Sequence, residues 1–168
     1  MRYTPAACAL SLLVAVWASV GNTAAPVPLD PRAAALVAQG RAALAAGNAD
    51  AAVDALEAAL AIQPGQVDIY ISLADATRSQ GLQGKALHYY RQALASDPQN
   101  QAAIAGEGVA LAEKGAVEKA RRNLARLQQL CGAECGPTRE LAAAIDRGPA
   151  PQVVSAEQVQ GQPVVTAN

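Results

Sequence analysis

The chain has 168 residues, and 52 % of them are apolar although only 3 % are aromatic and phenylalanine is absent. Because Ala, Leu and Val supply most of this apolar content, closely packed helices are favoured over a β-sandwich, which draws on β-branched and aromatic side chains. The formal net charge is −1, so the chain lacks the basic excess that neutralises phosphates, and we expect no nucleic-acid partner.

The N-terminal 25 residues differ from the rest of the chain. Arg2 is the only charged residue before Asp30, and the run from Ala6 to Val20 is apolar apart from two serines. A short positive region followed by such a run is typical of a secretory signal peptide, since a membrane span needs about 20 apolar residues. We therefore expect residues 1–25 to be a signal peptide and the protein to be exported, with the periplasm as its destination. The alternative is an uncleaved helix that anchors the protein to a membrane.

A period of 34 residues runs through the middle of the chain. Gly47, Gly81 and Gly115 follow one another at this step. Further sets keep the same step: Ala52, Ala86 and Ala120; Leu56, Tyr90 and Leu124; Pro64 and Pro98. A self-similar period of this length indicates a solenoid built from helical hairpins.

Each period contains the signals for two helices and the turns between them. Gly47 can take the left-handed conformation that ends one helix, and Asn48 can cap the next. Pro64 cannot continue the second helix. Gly40 and Ala52 are expected on facing helices, where small residues let two backbones approach closely.

These features resemble the tetratricopeptide repeat family, whose pattern W-x2-L-G-x2-Y, A-x3-F and P recurs over 34 residues. The copies cover residues 33–66, 67–100 and 101–134 within the array 32–134. The middle copy places Tyr70, Leu73, Ala74, Ala86, Tyr90 and Pro98 in the Trp, Leu, Gly, Ala, Phe and Pro slots. The resemblance implies an all-α fold, an α-solenoid of three helical hairpins with a core position for Tyr90.

Residues 136–148 predict one more helix, because Gly136 and Pro137 precede it, Leu141 and Ile145 are four apart, and Gly148 follows. A solenoid needs a terminal element with one polar face, so we interpret this segment as a capping helix with Thr138 and Glu140 among its outward residues. Residues 149–168 have one charge and no helical period, and we expect them to form a disordered tail.

Two cysteines, Cys131 and Cys135, lie at the junction between the third repeat and the capping helix. The C-x3-C spacing differs from the C-x2-C of redox and zinc motifs, and the further ligands of a zinc site are missing. In an oxidising compartment a disulfide is the simplest interpretation, with a turn at Gly132 and Gly136 closing the gap. Two free thiols or a redox-active pair remain the alternatives. A similar Cys pair in small exported bacterial repeat proteins is what the resemblance suggests.

No catalytic set emerges from the sequence. His88 is the only histidine, the carboxylates are scattered, and the glycines follow the repeat and not a phosphate-binding loop. We expect no enzymatic activity, no cofactor and no metal.

The resemblance also implies a binding surface, because the first helix of each hairpin in this family lines a concave groove. The residues that match by spacing are Val37, Arg41, Leu44, Ile71, Asp75, Arg78 and Val109. The Lys, Arg and Asn set of the carboxylate-clamp members is absent, so an amphipathic helix or apolar extended segment fits better than an acidic tail. Charge reversal of both Arg41 and Arg78 is expected to weaken binding without unfolding the protein.

The sequence therefore predicts a protein–protein interaction scaffold or adaptor in the cell envelope. The alternative function is a membrane-anchored structural or assembly component retained by its N-terminal helix. The groove itself could also be filled by the capping helix or the tail.

Overall fold

The computed structural model describes residues 28–149, which form seven α-helices and no strand. The helices are α1 (Pro31–Ala45), α2 (Ala49–Ile62), α3 (Val67–Ser79), α4 (Gln83–Ser96), α5 (Gln101–Glu113), α6 (Val117–Cys131) and α7 (Gly136–Arg147). The predicted signal peptide, residues 1–25, and the predicted tail beyond Pro149 lie outside the described residues.

Three of the helices begin with a side-chain cap, and the cap predicted at Asn48 is one of them. Asp30 Oδ1 accepts a hydrogen bond from the Arg32 N–H at 2.8 Å, and this bond lowers the pKa of Asp30. Asn48 caps α2 and Asn100 caps α5 in the same way, through bonds to backbone N–H groups three residues further on. Gly47 ends the first hairpin's turn with φ +77°, a conformation that side chains disfavour.

Consecutive helices pack as hairpins, α1 with α2, α3 with α4 and α5 with α6, and each hairpin packs against the next. The capping helix α7 packs against both α5 and α6. The prediction of an all-α solenoid with a C-terminal helix is therefore confirmed over the described residues.

The core consists of two clusters of buried side chains. The N-terminal cluster comes from α1, α2 and α3 and includes Val37, Leu56 and Leu73. The C-terminal cluster extends from α3 to α7, and its largest members are Tyr90, Ile104, Leu127 and Leu141. Tyr89 is half-buried and packs against both, so the core is continuous through the middle repeat.

The close approach predicted for the first hairpin occurs at Gly40. A Cβ atom there would lie 2.6 Å from Leu56 Cγ and 3.2 Å from the Ala52 carbonyl oxygen. These distances are too short for real Cβ contacts, so glycine is what allows α1 to lie directly against α2.

Candidate binding cleft on the inner face

The first helices of the three hairpins, α1, α3 and α5, lie in a row that α7 continues. We call the surface formed by these four helices the inner face. It contains an open cleft of about 410 Å³, here called the inner cleft, between α3, α5 and the start of α7. The residues that line it are Ile71, Asp75, Ala102, Ala105, Gly106, Gly136, Pro137 and Glu140.

The inner cleft exists because its lining on α5 consists of small residues. A Cβ atom on Gly106 would overlap the ring of Tyr90, which is completely buried beneath it. Gly106 therefore lets α5 lie directly over an aromatic side chain of α4. Ala102 and Ala105 add little volume, and the surface between α3 and α7 stays concave.

Asp75 is positioned in the wall of the cleft by the same tyrosine. The Tyr90 hydroxyl donates a hydrogen bond to Asp75 Oδ1 at 2.5 Å. Burial of the ring, and the neighbouring Asp75 carboxylate, raise the pKa of Tyr90 far above its usual value. The hydroxyl thus remains protonated and acts as a donor, and Asp75 itself lines the cleft.

Arg78, one turn further along α3, is engaged inside the protein. Its Nη1 lies 2.9 Å from Glu113 Oε1, and the two side chains are only 27 % and 22 % exposed. Arg78 Nε and Glu113 Oε2 are buried without a hydrogen-bond partner among the described residues. This cation interacts with the Tyr90 hydroxyl as well as with Glu113, so it links α3 to both α4 and α5.

Arg41 lies at the α1 end of the inner face and is exposed. Its Nε donates to Ser72 Oγ at 3.1 Å, and Ser72 Oγ in turn donates to the Asp68 carbonyl oxygen at 2.8 Å. The guanidinium is therefore held near α3, although the residue is exposed.

Two of the predicted groove residues are buried and offer almost no surface to a ligand. Val37 is 4 % exposed within the N-terminal cluster, and Val109 is 2 % exposed within the C-terminal cluster. Val109 belongs to the same cluster as Leu141 of α7, and α7 packs against α5. Leu44 is half-buried against the N-terminal cluster, whereas Ile71 is half-buried and lines the inner cleft.

Several lining residues were not named from the sequence. Ala102 and Gly106 are four residues apart on α5, so helical spacing could have placed them on one face. Pro137 and Glu140 were assigned to a cap, and the sequence did not show that the cap also forms one wall of the cleft.

The cysteine pair lies where α6 meets α7. The structure brings Cys131 and Cys135 into disulfide contact, with Cα atoms 5.9 Å apart. Gly132 has φ +87° and provides the predicted turn. Thr138 was expected to face solvent, but it is 2 % exposed, because its hydroxyl donates to the Gly132 carbonyl oxygen at 2.9 Å and lies 3.0 Å from Cys135 Sγ.

A second cleft, of about 450 Å³, lies away from the inner face between α4 and the turn that joins α5 to α6. Its charged residues, Arg91, Lys114 and Lys119, are all basic, and Arg91 forms an ion pair with Glu107. The two clefts therefore differ in the sign of their charge, since Asp75 and Glu140 are the charged residues that line the inner cleft.

Between residues 28 and 149 no three His, Cys, Asp or Glu side chains are gathered as a metal site would require. In the same part of the chain no helix combines the length and the apolarity needed to cross a bilayer.

Consecutive helical hairpins with a cleft on their shared inner face define an α-solenoid repeat protein. The family model described as tetratricopeptide repeat matches residues 24–67, 37–100 and 71–133. Because these matches together span well over half of the chain, the protein belongs to the tetratricopeptide repeat (TPR) family.

Solved structures with a similar fold include the Sgt2 TPR domain from Aspergillus fumigatus, which is 23 % identical, covers 77 % of this chain and 93 % of that chain, and has a TM-score of 0.63. The TPR2B domain of yeast Sti1, described as a complex with pHsp70, is 17 % identical over 70 % of this chain and 96 % of that chain, with a TM-score of 0.63.

The first TPR of Spaghetti (RPAP3), bound to the HSP90 peptide SRMEEVD, is 20 % identical over 69 % of this chain and 94 % of that chain, with a TM-score of 0.62. At these identities the likeness shows a shared fold. No curated protein matches the sequence.

Proposed function

We propose that the protein is an adaptor that binds a segment of a partner protein in the inner cleft. The observation that carries this proposal is the cleft itself, an open concavity of about 410 Å³ lined by small and apolar residues together with two carboxylates. Concave sites with a few placed polar groups are the usual form of binding surfaces. The peptide-bound RPAP3 structure and the Sti1 complex support this interpretation, because both share the fold.

The cleft suits a short extended or helical segment that docks without rearrangement of the array. Its walls belong to three separate helices, and these are held together by buried side chains of the C-terminal cluster and by the Arg78–Glu113 pair. A preformed surface of this kind loses little conformational entropy on binding.

We further propose that the adaptor is exported to the periplasm of a bacterial cell and that Cys131 and Cys135 are oxidised there. The charged start and apolar run of residues 1–25 support export. The intact mass of the protein purified from its native envelope tests this: loss of 21 to about 25 residues would exclude an uncleaved anchor. Retention of residues 1–25 would favour the membrane-anchored structural component.

The adaptor function is tested by filling the cleft without disturbing the core. Ala102 is exposed and lines the cleft, so Ala102→Trp should fill the space that a ligand would occupy. Ala125 is an exposed alanine on α6, outside the cleft, and Ala125→Trp is the matched control. Circular dichroism establishes that both variants fold.

Tagged wild-type protein and both variants are purified from the native envelope, and partners are quantified by mass spectrometry. We expect a stoichiometric protein that is retained by wild type and Ala125→Trp and lost with Ala102→Trp. Equal retention by all three would place the interaction elsewhere on the protein, and the absence of any stoichiometric partner would contradict the adaptor function.

A further inference from the structure

We infer that the segment bound in the inner cleft is cationic: a Lys or Arg side chain of the partner pairs with Asp75 and Glu140 while its apolar neighbours pack on Ile71 and Pro137. This inference rests on the proposed function and adds the chemical class of the ligand. It follows from how the two carboxylates are held.

The Asp75 carboxylate is held in place before any ligand binds. Tyr90 donates to Asp75 Oδ1 from beneath the cleft, and its raised pKa keeps that proton in place. The ring of Tyr90 is fully buried under Gly106, so the donor is fixed, and the carboxylate it holds is fixed with it. Asp75 thus lines the cleft in a half-buried position, where water screens charge less than on an open surface.

The arginine nearest to Asp75 along α3 does not take this role. Arg78 is paired with Glu113 at 2.9 Å and also lies beside the Tyr90 hydroxyl, so both of these groups share its charge inside the protein. Asp75 was predicted as a groove residue, but its connection to Tyr90 is visible only in the structure. The tyrosine occupies a slot that leucine fills in the other two repeats, so its hydroxyl is an addition to the repeat pattern that the fold does not need.

Glu140 provides the second charge from the opposite wall. It is exposed on the first turns of α7 and lines the same cleft as Asp75. Between the two walls lie Ala102, Ala105 and Gly106, which leave room for a long side chain. A lysine or arginine fits this arrangement, because its aliphatic stem packs on apolar surface while its head reaches the carboxylates.

Random 12-residue peptides displayed on phage are the probe, selected on the full-length protein and counter-selected on Ala102→Trp. We expect the retained peptides to be enriched in Lys or Arg next to apolar residues. Retained peptides that are acidic or uncharged would overturn the inference while leaving the adaptor function in place. If no cleft-dependent peptide is retained, the proposed function fails and the inference falls with it.

Synthetic peptides of the enriched sequence then test the two carboxylates by fluorescence anisotropy. Asp75→Asn removes the charge but can still accept the Tyr90 hydrogen bond, and we expect about tenfold weaker binding. Glu140→Lys is expected to weaken binding by a similar factor. Raising the ionic strength should weaken peptide binding to the wild type more than peptide binding to Asp75→Asn.

The matched control is Asp146→Lys, which reverses an exposed carboxylate on the same helix away from the cleft lining. Its affinity should equal that of the wild type. An equal loss for Glu140→Lys and Asp146→Lys would mean that the protein's overall charge acts on the peptide, and the site would be wrong. Tyr90→Phe keeps the ring but removes the hydrogen bond that holds Asp75. We expect a smaller loss of peptide affinity, about threefold, with an unchanged circular dichroism spectrum.

Discussion

Gly40 and Gly108 occupy the same position of the repeat, two periods apart, yet they contact different neighbours. A Cβ atom on Gly40 would meet Leu56, which belongs to the partner helix of the same hairpin. A Cβ atom on Gly108 would meet Leu141, which belongs to α7 and lies 2.5 Å away through its Cδ2 atom. The same repeat position therefore allows close packing within a hairpin at Gly40, and close packing against the capping helix at Gly108.

This difference explains why the two ends of the inner face are unlike. At the N-terminal end α1 buries only Ala33, Val37 and Gly40, and Arg41 remains in solvent. At the C-terminal end α7 covers much of α5, so the binding surface is displaced toward the cleft between α3, α5 and the start of α7. The cap acts as a wall of the candidate site and not only as a cover.

The largest expected effect is at the capped end. Leu141 is fully buried in the C-terminal cluster, and Leu141→Ala should lower the free energy of unfolding by about 3 kcal/mol through lost burial and a cavity. Because α7 carries Pro137 and Glu140, peptide binding should weaken as well. Urea unfolding followed by circular dichroism measures the first effect, and anisotropy measures the second.

Val37→Ala provides the comparison at the open end, since Val37 is 4 % exposed in the N-terminal cluster. We expect about 1–2 kcal/mol of destabilisation, because fewer carbon atoms are removed, and no change in peptide affinity. If both variants reduced affinity equally, α7 would have no special part in the cleft.

The two arginines of the inner face should respond differently to charge reversal. Arg78→Glu brings a third carboxylate beside Asp75 and Glu113 in a half-buried position and breaks the pair between α3 and α5. We expect a loss of about 2–3 kcal/mol. Arg41→Glu should change stability by less than about 0.5 kcal/mol, because the side chain is exposed.

Thermal unfolding of both single variants provides the measurement. The expectation from sequence that both reversals leave the protein folded stays a prediction, and it would be contradicted if Arg78→Glu were unfolded at the temperature of the binding assay. Equal midpoints for the two variants would instead mean that the Arg78–Glu113 pair contributes nothing to stability.

The junction of α6 and α7 is the next site to test. Cys131→Ser should lower the free energy of unfolding by about 2 kcal/mol under oxidising conditions, the value that loop-closure entropy gives for so short a loop. In the presence of a reductant the variant and the wild type should unfold together. A loss that persists in reductant would show that packing of Cys131 near Thr138, and not a covalent bond, is what the substitution removes.

The array itself could be predicted from sequence because its signals are local or periodic. Asp30, Asn48 and Asn100 cap helices through backbone groups within three residues, and the resemblance to the family pattern implied the core position of Tyr90. Spacing alone did not show which of the predicted groove residues are exposed. Val37 and Val109 had the correct spacing for an inner helix face, but burial depends on neighbouring helices that spacing does not describe.

The polar part of the candidate site could not be predicted because it depends on contacts across hairpins. Arg78 is neutralised by Glu113, which is 35 residues away, and Asp75 is held by Tyr90, which is 15 residues away. Thr138 was misjudged for a related reason. A threonine in the first turn of a terminal helix is ordinarily exposed, but here the turn at Gly132 folds back over it.

The smallest expected changes in stability are those of alanine substitutions at Gly40 and Gly108. Alanine stabilises a helix interior by about 0.5–1 kcal/mol relative to glycine, so any steric cost of the new Cβ atom is partly offset. At Gly40 the new Cβ would press on Leu56 Cγ and on the backbone oxygen of Ala52, neither of which can withdraw easily. At Gly108 it would press on the two methyl ends of Leu141, on a terminal helix that can shift outward as a unit.

We therefore expect Gly40→Ala to destabilise the protein by about 1 kcal/mol and Gly108→Ala to stay within about 0.5 kcal/mol of the wild type. Urea unfolding midpoints compare the two directly. Because a displaced α7 would also move Glu140, Gly108→Ala should weaken binding of the cationic peptide more than it weakens the fold, whereas Gly40→Ala should do the reverse. A larger loss of stability for Gly108→Ala than for Gly40→Ala, or a larger loss of affinity for Gly40→Ala, would contradict this comparison. It would mean that α7 is held more rigidly than the first hairpin.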